Sequence, residues 1–214
     1  MTSEPSPTSP AEPTPDGAGP DGPVPGGRSR RDQILATAAE LFAARGFHGV
    51  SVADLGAACG ISGPALYKHF VSKDAVLAEM LVSISEELLG VGRERVAAAP
   101  GAGAALAALV DWHVDFALRH RPLIVVQDRD WQSLPVEARE RVRALQREYV
   151  DLWAAQLRRI HPDLDLDPAR AMAHAAFGLI NSTPHSGLLP DDPMHTLLCG
   201  MALGALGVPD RAAR

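Results

Sequence analysis

The residues best suited to bind a partner are cations gathered in one segment of the chain. Residues 28–73 hold six lysines and arginines against three carboxylates, whereas the 214-residue chain has a formal net charge of −6. Lysine and arginine side chains bind phosphate oxygens through charge and hydrogen bonds. A polyanion would therefore meet this segment alone, and a surface that is basic all over is excluded.

Three short helices are expected to position these cations. Apolar residues at helical spacing predict a first helix from Arg31 to Arg45, which Gly46 then ends. Ser51 and Ser62 have the type and position of N-caps for two further helices, and Asp54 completes a capping box at the first of them. Small and apolar residues let the second and third helices cross closely, at Gly56, Gly60 and Leu66. The pattern predicts a helix-turn-helix, and its basic flank favours DNA binding over a chance pair of short helices.

The same stretch resembles the DNA-binding domain of the TetR/AcrR family of transcriptional regulators over about residues 29–80. The motifs that carry the resemblance are Arg31–Phe42, Gly46-Phe47, Ser51–Gly56 and the run from Gly60 to Asp74, with Leu66-Tyr67-Lys68-His69-Phe70 and Ser72-Lys73-Asp74 its most specific part. Members of this family are most often repressors that a small molecule releases. After residue 80 the chain is similar to the family in length and helical layout alone.

The resemblance places the third helix in the major groove of DNA, with its N-terminal half against the base edges. Lys68 is expected to read guanine acceptors, beside the groove-facing residues Gly63, Pro64 and Ala65. Phosphate contacts are expected from Ser51, Tyr67, His69 and Lys73, and an arm along the backbone or in the minor groove from Arg28, Arg30 and Arg31. Two alternatives stay open, Tyr67 as a half-buried packing residue and His69 as a partner of the helix C-terminus.

The rest of the chain is expected to be helical. A long helix after Ser72 would join the DNA-binding part to five further helices, which carry cap-plus-proline starts and apolar residues at helical spacing. Nine helices and no convincing strand predict an all-α fold. We expect a disordered leader at residues 1–27, a helix-turn-helix domain at 28–75, and a helical effector-binding and dimerisation domain at 76–214.

Residues of the central helices are candidates for an effector cavity. They are Trp112, His113, Phe116, Trp131, His174, Phe177 and Asn181, with His113 and Asn181 as the polar anchors that apolar cavities use. Aromatic residues at this spacing are equally expected in an ordinary core. The effector is expected to be a small apolar or amphipathic molecule. A phosphorylated one such as an acyl-CoA could bind a set of arginines that would otherwise be solvated, namely Arg139, Arg141, Arg143 and Arg147.

The last two helices, at about Pro168–Ile180 and Pro193–Leu206, are rich in Ala, Gly, Leu and Met. Gly200 and Gly204 share a face that another helix can approach closely. We expect these helices to form the interface of a homodimer, with packing inside one subunit as the alternative. Two DNA-binding domains about 35 Å apart would then bind in successive major grooves of a palindromic operator.

Composition excludes several other classes of protein. Residues 1–27 contain 8 Pro and 5 Gly and lack the apolar stretch of a signal peptide. No apolar run reaches the roughly 20 residues that span a bilayer. Two cysteines, Cys59 and Cys199, cannot form a disulfide framework or a four-thiolate zinc site. We expect a cytoplasmic protein with no membrane partner, metal or cofactor.

Motifs of catalysis do not occur in the chain. It has no His-Glu-x-x-His, no Gly-x-Ser-x-Gly and no phosphate-binding Gly-x-x-x-x-Gly-Lys, so an enzyme is not expected. The main alternative to a transcriptional regulator is a helical adaptor that binds protein without DNA specificity. Salt-sensitive DNA binding would separate the two functions.

Overall fold

The computed structural model describes residues 29–208, and every regular element within them is helical. Two 3₁₀ segments, Trp131–Ser133 and Thr183–His185, accompany nine α-helices. The α-helices are α1 (Arg30–Arg45), α2 (Val52–Ala58), α3 (Gly63–Leu66), α4 (Lys73–Ala98), α5 (Ala102–Arg119), α6 (Arg121–Asp130), α7 (Val136–Ile160), α8 (Leu166–Ile180) and α9 (Asp191–Ala205). The all-α expectation is confirmed. None of these helices is both long and apolar enough to cross a bilayer. The expected leader and Arg28 lie outside the described residues.

The first four helices each begin at a serine. Its hydroxyl accepts a hydrogen bond from the backbone N–H three residues further on, at Ser29, Ser51, Ser62 and Ser72. Each cap satisfies an N–H that has no partner inside the helix, so the start of the helix is fixed locally. Gly46 and Gly60 then redirect the chain with φ of 79° and 67°, a conformation that favours glycine.

Gly56 lets α2 and the turn before α3 come together. A Cβ atom at this position would lie 2.9 Å from both the Gly63 nitrogen and the Ile61 carbonyl oxygen. Any side chain would force these backbones apart, so the predicted close crossing is confirmed. Leu66 and Phe70 close the interior from the α3 side and are almost fully buried.

Helix α4 connects the two halves of the molecule. Its residues Val76–Leu81 pack into the core of α1–α3, and its later turns pack against α5 and α7. Helix α7 also packs on α8, and α5 packs on α9. The first core is completed by side chains from α6, α7 and the segment between them, at Val126, Leu134 and Val142. The proposed boundary at residue 75 therefore falls in the first turn of a helix that both halves share.

Candidate DNA-contacting surface and effector cavity

Helix α3 and the turn after it present a polar surface to solvent. The Ser62 hydroxyl accepts a hydrogen bond from the Ala65 N–H at 3.2 Å, and Pro64 occupies the first turn, where its missing N–H costs nothing. Tyr67 is 55% exposed, and Lys68 beside it is also exposed. This exposure leaves the Tyr67 ring accessible, and its contact with a DNA backbone stays a prediction.

The start of α2 lies next to the start of α3. A Cβ atom at Gly63 would be 3.8 Å from Cα of Ala53, so the two helix N-termini almost touch. Ser51 and Asp54 form the predicted capping box, with Ser51 Oγ accepting from the Asp54 N–H at 3.1 Å and the Asp54 carboxylate accepting from the Ser51 N–H at 2.8 Å. The Ser51 hydroxyl and the Ser51 N–H both donate to the Asp54 carboxylate, and these two hydrogen bonds lower the pKa of Asp54.

Three of the cations expected on DNA already bind other parts of the same domain. Arg31 donates to the Glu79 carboxylate and to the His69 carbonyl oxygen. Arg30 donates to a carbonyl at the end of α2. The Lys73 ammonium donates at 2.7–2.8 Å to two carbonyls of the α1–α2 connection, Phe47 and Val50. These charges join helices to one another in the described structure, and their contact with DNA stays a prediction.

A cavity of about 240 Å³ lies among α4, α5, α6, α7 and α8. Five of the seven residues expected to bind an effector line it, namely His113, Phe116, His174, Phe177 and Asn181. Its other walls include side chains that periodicity marks as helical but cannot assign to a cavity, such as Ile84, Leu88, Ile124, Gln127, Leu145 and Tyr149. The volume suits a small ligand or the apolar end of a longer one.

His113 is the centre of an aromatic cluster in the cavity wall. Its ring centroid lies 4.7 Å from that of Phe177, 5.6 Å from Tyr149 and 5.9 Å from Trp153. Burial lowers the pKa of His113 to about 4, although a hydrogen bond from Nε2 to Asn181 Oδ1 at 3.3 Å opposes this shift. The imidazole is therefore neutral at pH 7. Its Nδ1 is then an acceptor with no protein partner among residues 29–208, and a ligand donor can satisfy it.

Trp112 and Trp131 were expected in this cavity, and the structure places both outside it. The buried Trp112 indole donates to the Leu88 carbonyl at 3.1 Å, so its polar atom serves the α4–α5 contact. Trp131 lines a separate shallow groove that shares three wall residues with the cavity, Gln127, Asp128 and Gln146. The Arg143 guanidinium lies 5.5 Å from the Trp131 ring centroid. Trp131 therefore flanks the cavity and does not line it.

Two family profiles match the chain over separate ranges. Residues 34–80 match the bacterial regulatory proteins of the tetR family, and residues 100–185 match the tetracyclin repressor-like C-terminal domain. Together they cover more than half of the chain. This protein belongs to the TetR family.

Individual TetR-family proteins are similar over most of the fold. The HTH-type transcriptional repressor KstR2 of Rhodococcus jostii is 33% identical over 133 residues, which are 62% of this chain and 65% of that relative, less than two thirds of its length. A TetR-family regulator from Bordetella parapertussis superposes with a TM-score of 0.73 and 27% identity over 81% of this chain and 93% of that one. AibR in complex with isovaleryl coenzyme A and operator DNA superposes with a TM-score of 0.65 over 81% of this chain and 97% of that one. At 22% identity, this last likeness shows the fold alone.

In this TetR-family chain, α6 makes a second connection between the cavity and the DNA-binding half. Arg129, near the end of α6, donates to the last carbonyls of α1, at Ala43 (3.0 Å) and at Phe42. The buried Asp130 carboxylate accepts from the same guanidinium at 3.1 Å. No sequence pattern predicts the contact with α1, because the carbonyls that Arg129 binds belong to residues more than 80 positions away.

Helices α8 and α9 of the TetR-family chain each expose a face of mostly small and apolar residues. The faces comprise Ala171, His174, Ala175 and Gly178 on α8, and Leu197, Gly200, Met201 and Gly204 on α9. Leu197 and Met201 are 46% and 49% exposed. A Cβ atom at either glycine of α9 would meet open space, so packing inside the protomer does not require glycine there.

Proposed function

We propose that this protein is a sequence-specific transcriptional repressor that leaves its DNA operator when a small molecule binds. The observation that carries the proposal is the exposed Tyr67–Lys68 surface on a helix-turn-helix whose geometry Ser51, Ser62 and Gly56 fix. Lys68 would donate to guanine acceptors in the major groove, and Tyr67 would position the domain on a phosphate.

Fluorescence anisotropy tests DNA recognition directly. The full chain is titrated onto a fragment from immediately upstream of its own gene and onto random DNA, at two salt concentrations. Preferential binding that weakens steeply with salt is expected. Lys68→Ala is expected to lose about 1–3 kcal/mol of operator binding, because a base contact disappears, and Tyr67→Ala to weaken binding to both DNAs.

The matched control is Arg159→Ala, which removes an exposed charge at the far end of α7 and is expected to leave operator affinity unchanged. Undiminished affinity in folded Lys68→Ala and Tyr67→Ala would contradict the proposed interface. Weak binding to both DNAs with little salt dependence would instead support a helical adaptor.

We infer that the effector is an acyl-CoA, with its acyl chain in the cavity and its nucleotide part in the adjoining groove. The Trp131 ring offers the adenine a stacking surface, and Arg143 beside it and the exposed Arg147 offer charge to the phosphates. Arg139 and Arg141 are already held by a backbone carbonyl and by a glutamate at 2.9 and 2.7 Å. The complex of AibR with isovaleryl coenzyme A supports this choice of ligand class.

Release of bound operator tests the effector class. A preformed protein–DNA complex is titrated with acyl-CoAs of increasing chain length, with coenzyme A alone and with the free acids. We expect release by thioesters and not by either half of the molecule alone. Arg143→Ala should require more ligand for release, whereas the matched Arg141→Ala on the same helix should not. Equal behaviour of the two variants would contradict the groove assignment.

We propose that effector binding weakens operator binding through both helices that connect the cavity to the DNA-binding half, α4 and α6. Helices α4 and α6 line the cavity and also contact α1, α6 through Arg129. A ligand that favours a tilted α4 and a shifted α6 would change the spacing of the two DNA-binding domains. A differential affinity of about 1–3 kcal/mol is typical of such coupling, and operator DNA must weaken effector binding by the same factor.

We propose that α8 and α9 pair with the same helices of a second copy, so that the homodimer reads a palindromic operator. Light scattering at micromolar concentration should give twice the mass of the chain. Gly200→Arg should give a monomer with weaker operator binding, because its side chain has room in the protomer and none between close helices. Gly187→Arg, in an exposed connection, is the control. A monomeric unmodified chain would contradict the dimer.

We further propose that the protein acts in the cytoplasm, where it can reach DNA, and that it is not an enzyme. The relatives it matches are named as transcriptional regulators. Among the polar residues of the cavity wall, the buried His113 is neutral at pH 7 and is hydrogen-bonded to the Asn181 amide, an arrangement suited to binding a ligand.

A further inference from the structure

A cluster of side chains that bind metals lies between α5 and α9, away from both the DNA-contacting surface and the effector cavity. Asp111 and Asp115 are one turn apart on α5, and His195 and Cys199 are one turn apart on α9. Residues four apart share one helix face, and α5 packs against α9, so the two pairs meet. We propose that this cluster is a binding site for a divalent transition-metal ion, with Zn²⁺ the ion that a mixed nitrogen, sulfur and oxygen set suits.

The distances from the imidazole to the two carboxylates match those of a tetrahedral site, and the Cys199 sulfur lies somewhat further away, about equally far from both ring nitrogens. His195 Nε2 lies 3.4 Å from Asp111 Oδ1, 3.3 Å from Asp115 Oδ1 and 3.9 Å from Cys199 Sγ. Zinc–ligand bonds of roughly 2.0–2.3 Å give tetrahedral edges of about 3.4 Å between nitrogen and oxygen and about 3.6 Å between nitrogen and sulfur. One ligand atom each from Asp111, His195 and Cys199 already lies within 4.8 Å of the others.

The surroundings orient the carboxylate ligand. Asp111 Oδ2 accepts a hydrogen bond from Arg95 at 2.8 Å, which leaves Oδ1 directed at His195. Such outer hydrogen bonds are typical of ligating carboxylates. Asp111, His195 and Cys199 are thus the three ligands, and Asp115, close to the same imidazole nitrogen, stands next to the fourth position.

The aspartates around the cluster outnumber the arginines that face them by one. Four aspartates, Asp111, Asp115, Asp191 and Asp192, border one surface depression, and the arginines that face them are Arg95, Arg119 and Arg121. A protonated His195 between Asp111 and Asp115 would produce the same two nitrogen–oxygen distances without a metal. Such an ion pair would not need the Cys199 sulfur, so a test of the thiol distinguishes an ion-pair cluster from a metal site.

The test uses the untagged full chain and Co²⁺ as a spectroscopic probe for Zn²⁺. A thiolate–Co²⁺ charge-transfer band is expected, and Zn²⁺ should abolish it. Competition with a chromophoric chelator measures the Zn²⁺ affinity. Cys199→Ser should abolish the band and lower the affinity by more than roughly 100-fold, and Asp115→Asn should lower it roughly 10- to 100-fold, the usual effect of an outer partner. The matched control, Cys59→Ser, should keep both the charge-transfer band and the Zn²⁺ affinity.

A second measurement needs no variant to fold. Zn²⁺ should slow alkylation of Cys199 in the unmodified protein, followed by mass spectrometry, while Cys59 serves as the internal control. Both cysteines are free and partly buried. Because burial and the nearby Asp111 and Asp115 raise the pKa of the Cys199 thiol, the alkylation rate of each cysteine with Zn²⁺ is compared with its own rate without the ion. A band that persists in Cys199→Ser, or alkylation of Cys199 that ignores Zn²⁺, would overturn the proposal in favour of an ion-pair cluster.

Discussion

The DNA-binding helices and the effector cavity are held together by different kinds of contact. In α1–α3 the start of each helix is fixed by local hydrogen bonds, such as the reciprocal pair between Ser51 and Asp54. In the cavity the contacts join rings from α5, α7 and α8, such as His113 and Phe177, which are 64 positions apart in the sequence. A local cap stays in place when a neighbouring helix moves, whereas a cluster of rings from three helices changes when any of these helices shifts.

The two regions also differ in how completely their polar groups are satisfied. The caps of α1–α4 all find their backbone partners. In the cavity, His113 Nδ1 has no partner in the described part of the chain. A buried polar atom without a partner costs about 1–3 kcal/mol, which a ligand that supplies the missing hydrogen bond can recover. The caps of the DNA-binding helices are thus satisfied by the protein itself, whereas a ligand would satisfy the open polar atom of the cavity.

The largest effect is expected from Trp153→Ala, which removes the biggest fully buried side chain of the aromatic cluster. Loss of a buried tryptophan costs about 3–5 kcal/mol, measured as the free energy of unfolding in urea. Trp153→Phe should cost less, since a ring remains. At a temperature where Trp153→Ala is folded, its DNA affinity should be retained. Loss of DNA binding by the folded variant would show that the DNA-binding helices need an intact aromatic cluster.

In the DNA-binding helices, Gly56→Ala should lower the free energy of unfolding by up to about 3 kcal/mol, because the new Cβ meets two backbone atoms at 2.9 Å. The matched change Gly90→Ala puts the same methyl group into open space in the middle of α4. It should stabilise the protein by up to about 1 kcal/mol, since alanine is the better helix former. Thermal unfolding should give a lower melting temperature for Gly56→Ala and a higher one for Gly90→Ala. A similar melting temperature for the two variants would contradict the close crossing.

The same contrast explains what the sequence could and could not predict. Caps at Ser51 and Ser62 and the turn at Gly60 depend on residues within three or four positions, so their types predict the structure. Trp112 and Trp131 have the residue type of a cavity wall, and their true positions depend on how five helices pack. Arg129 and Lys73 bind backbone carbonyls, which carry no sequence pattern at all.

Acid should destabilise the cavity through His113. Its folded pKa of about 4 lies below the ordinary value of about 6.5, so the unfolded chain binds the proton more readily and stability falls as the pH drops below 6.5. Between pH 7 and pH 5 this group alone should cost about 2 kcal/mol. Between pH 7 and pH 5 the free energy of unfolding of His113→Gln, measured in urea, should therefore fall by about 2 kcal/mol less than that of the unmodified chain. The exposed His185→Gln should behave as the unmodified chain, and equal pH dependence in both variants would exclude His113 as the cause.

The smallest change, Ser51→Ala, separates the structural role of a cap from its role on DNA. Removing the hydroxyl leaves the Asp54 N–H without its partner and should cost about 1 kcal/mol of stability. Ser29→Ala removes the equivalent cap of α1, with the same capping box, and should cost about as much. Operator affinity, measured by anisotropy on folded protein, should fall in Ser51→Ala and stay unchanged in Ser29→Ala, because only the α2 cap lies beside the start of α3. Parallel losses of affinity in the two variants would mean that the caps affect DNA binding through stability alone, and Ser51 would then leave the proposed interface.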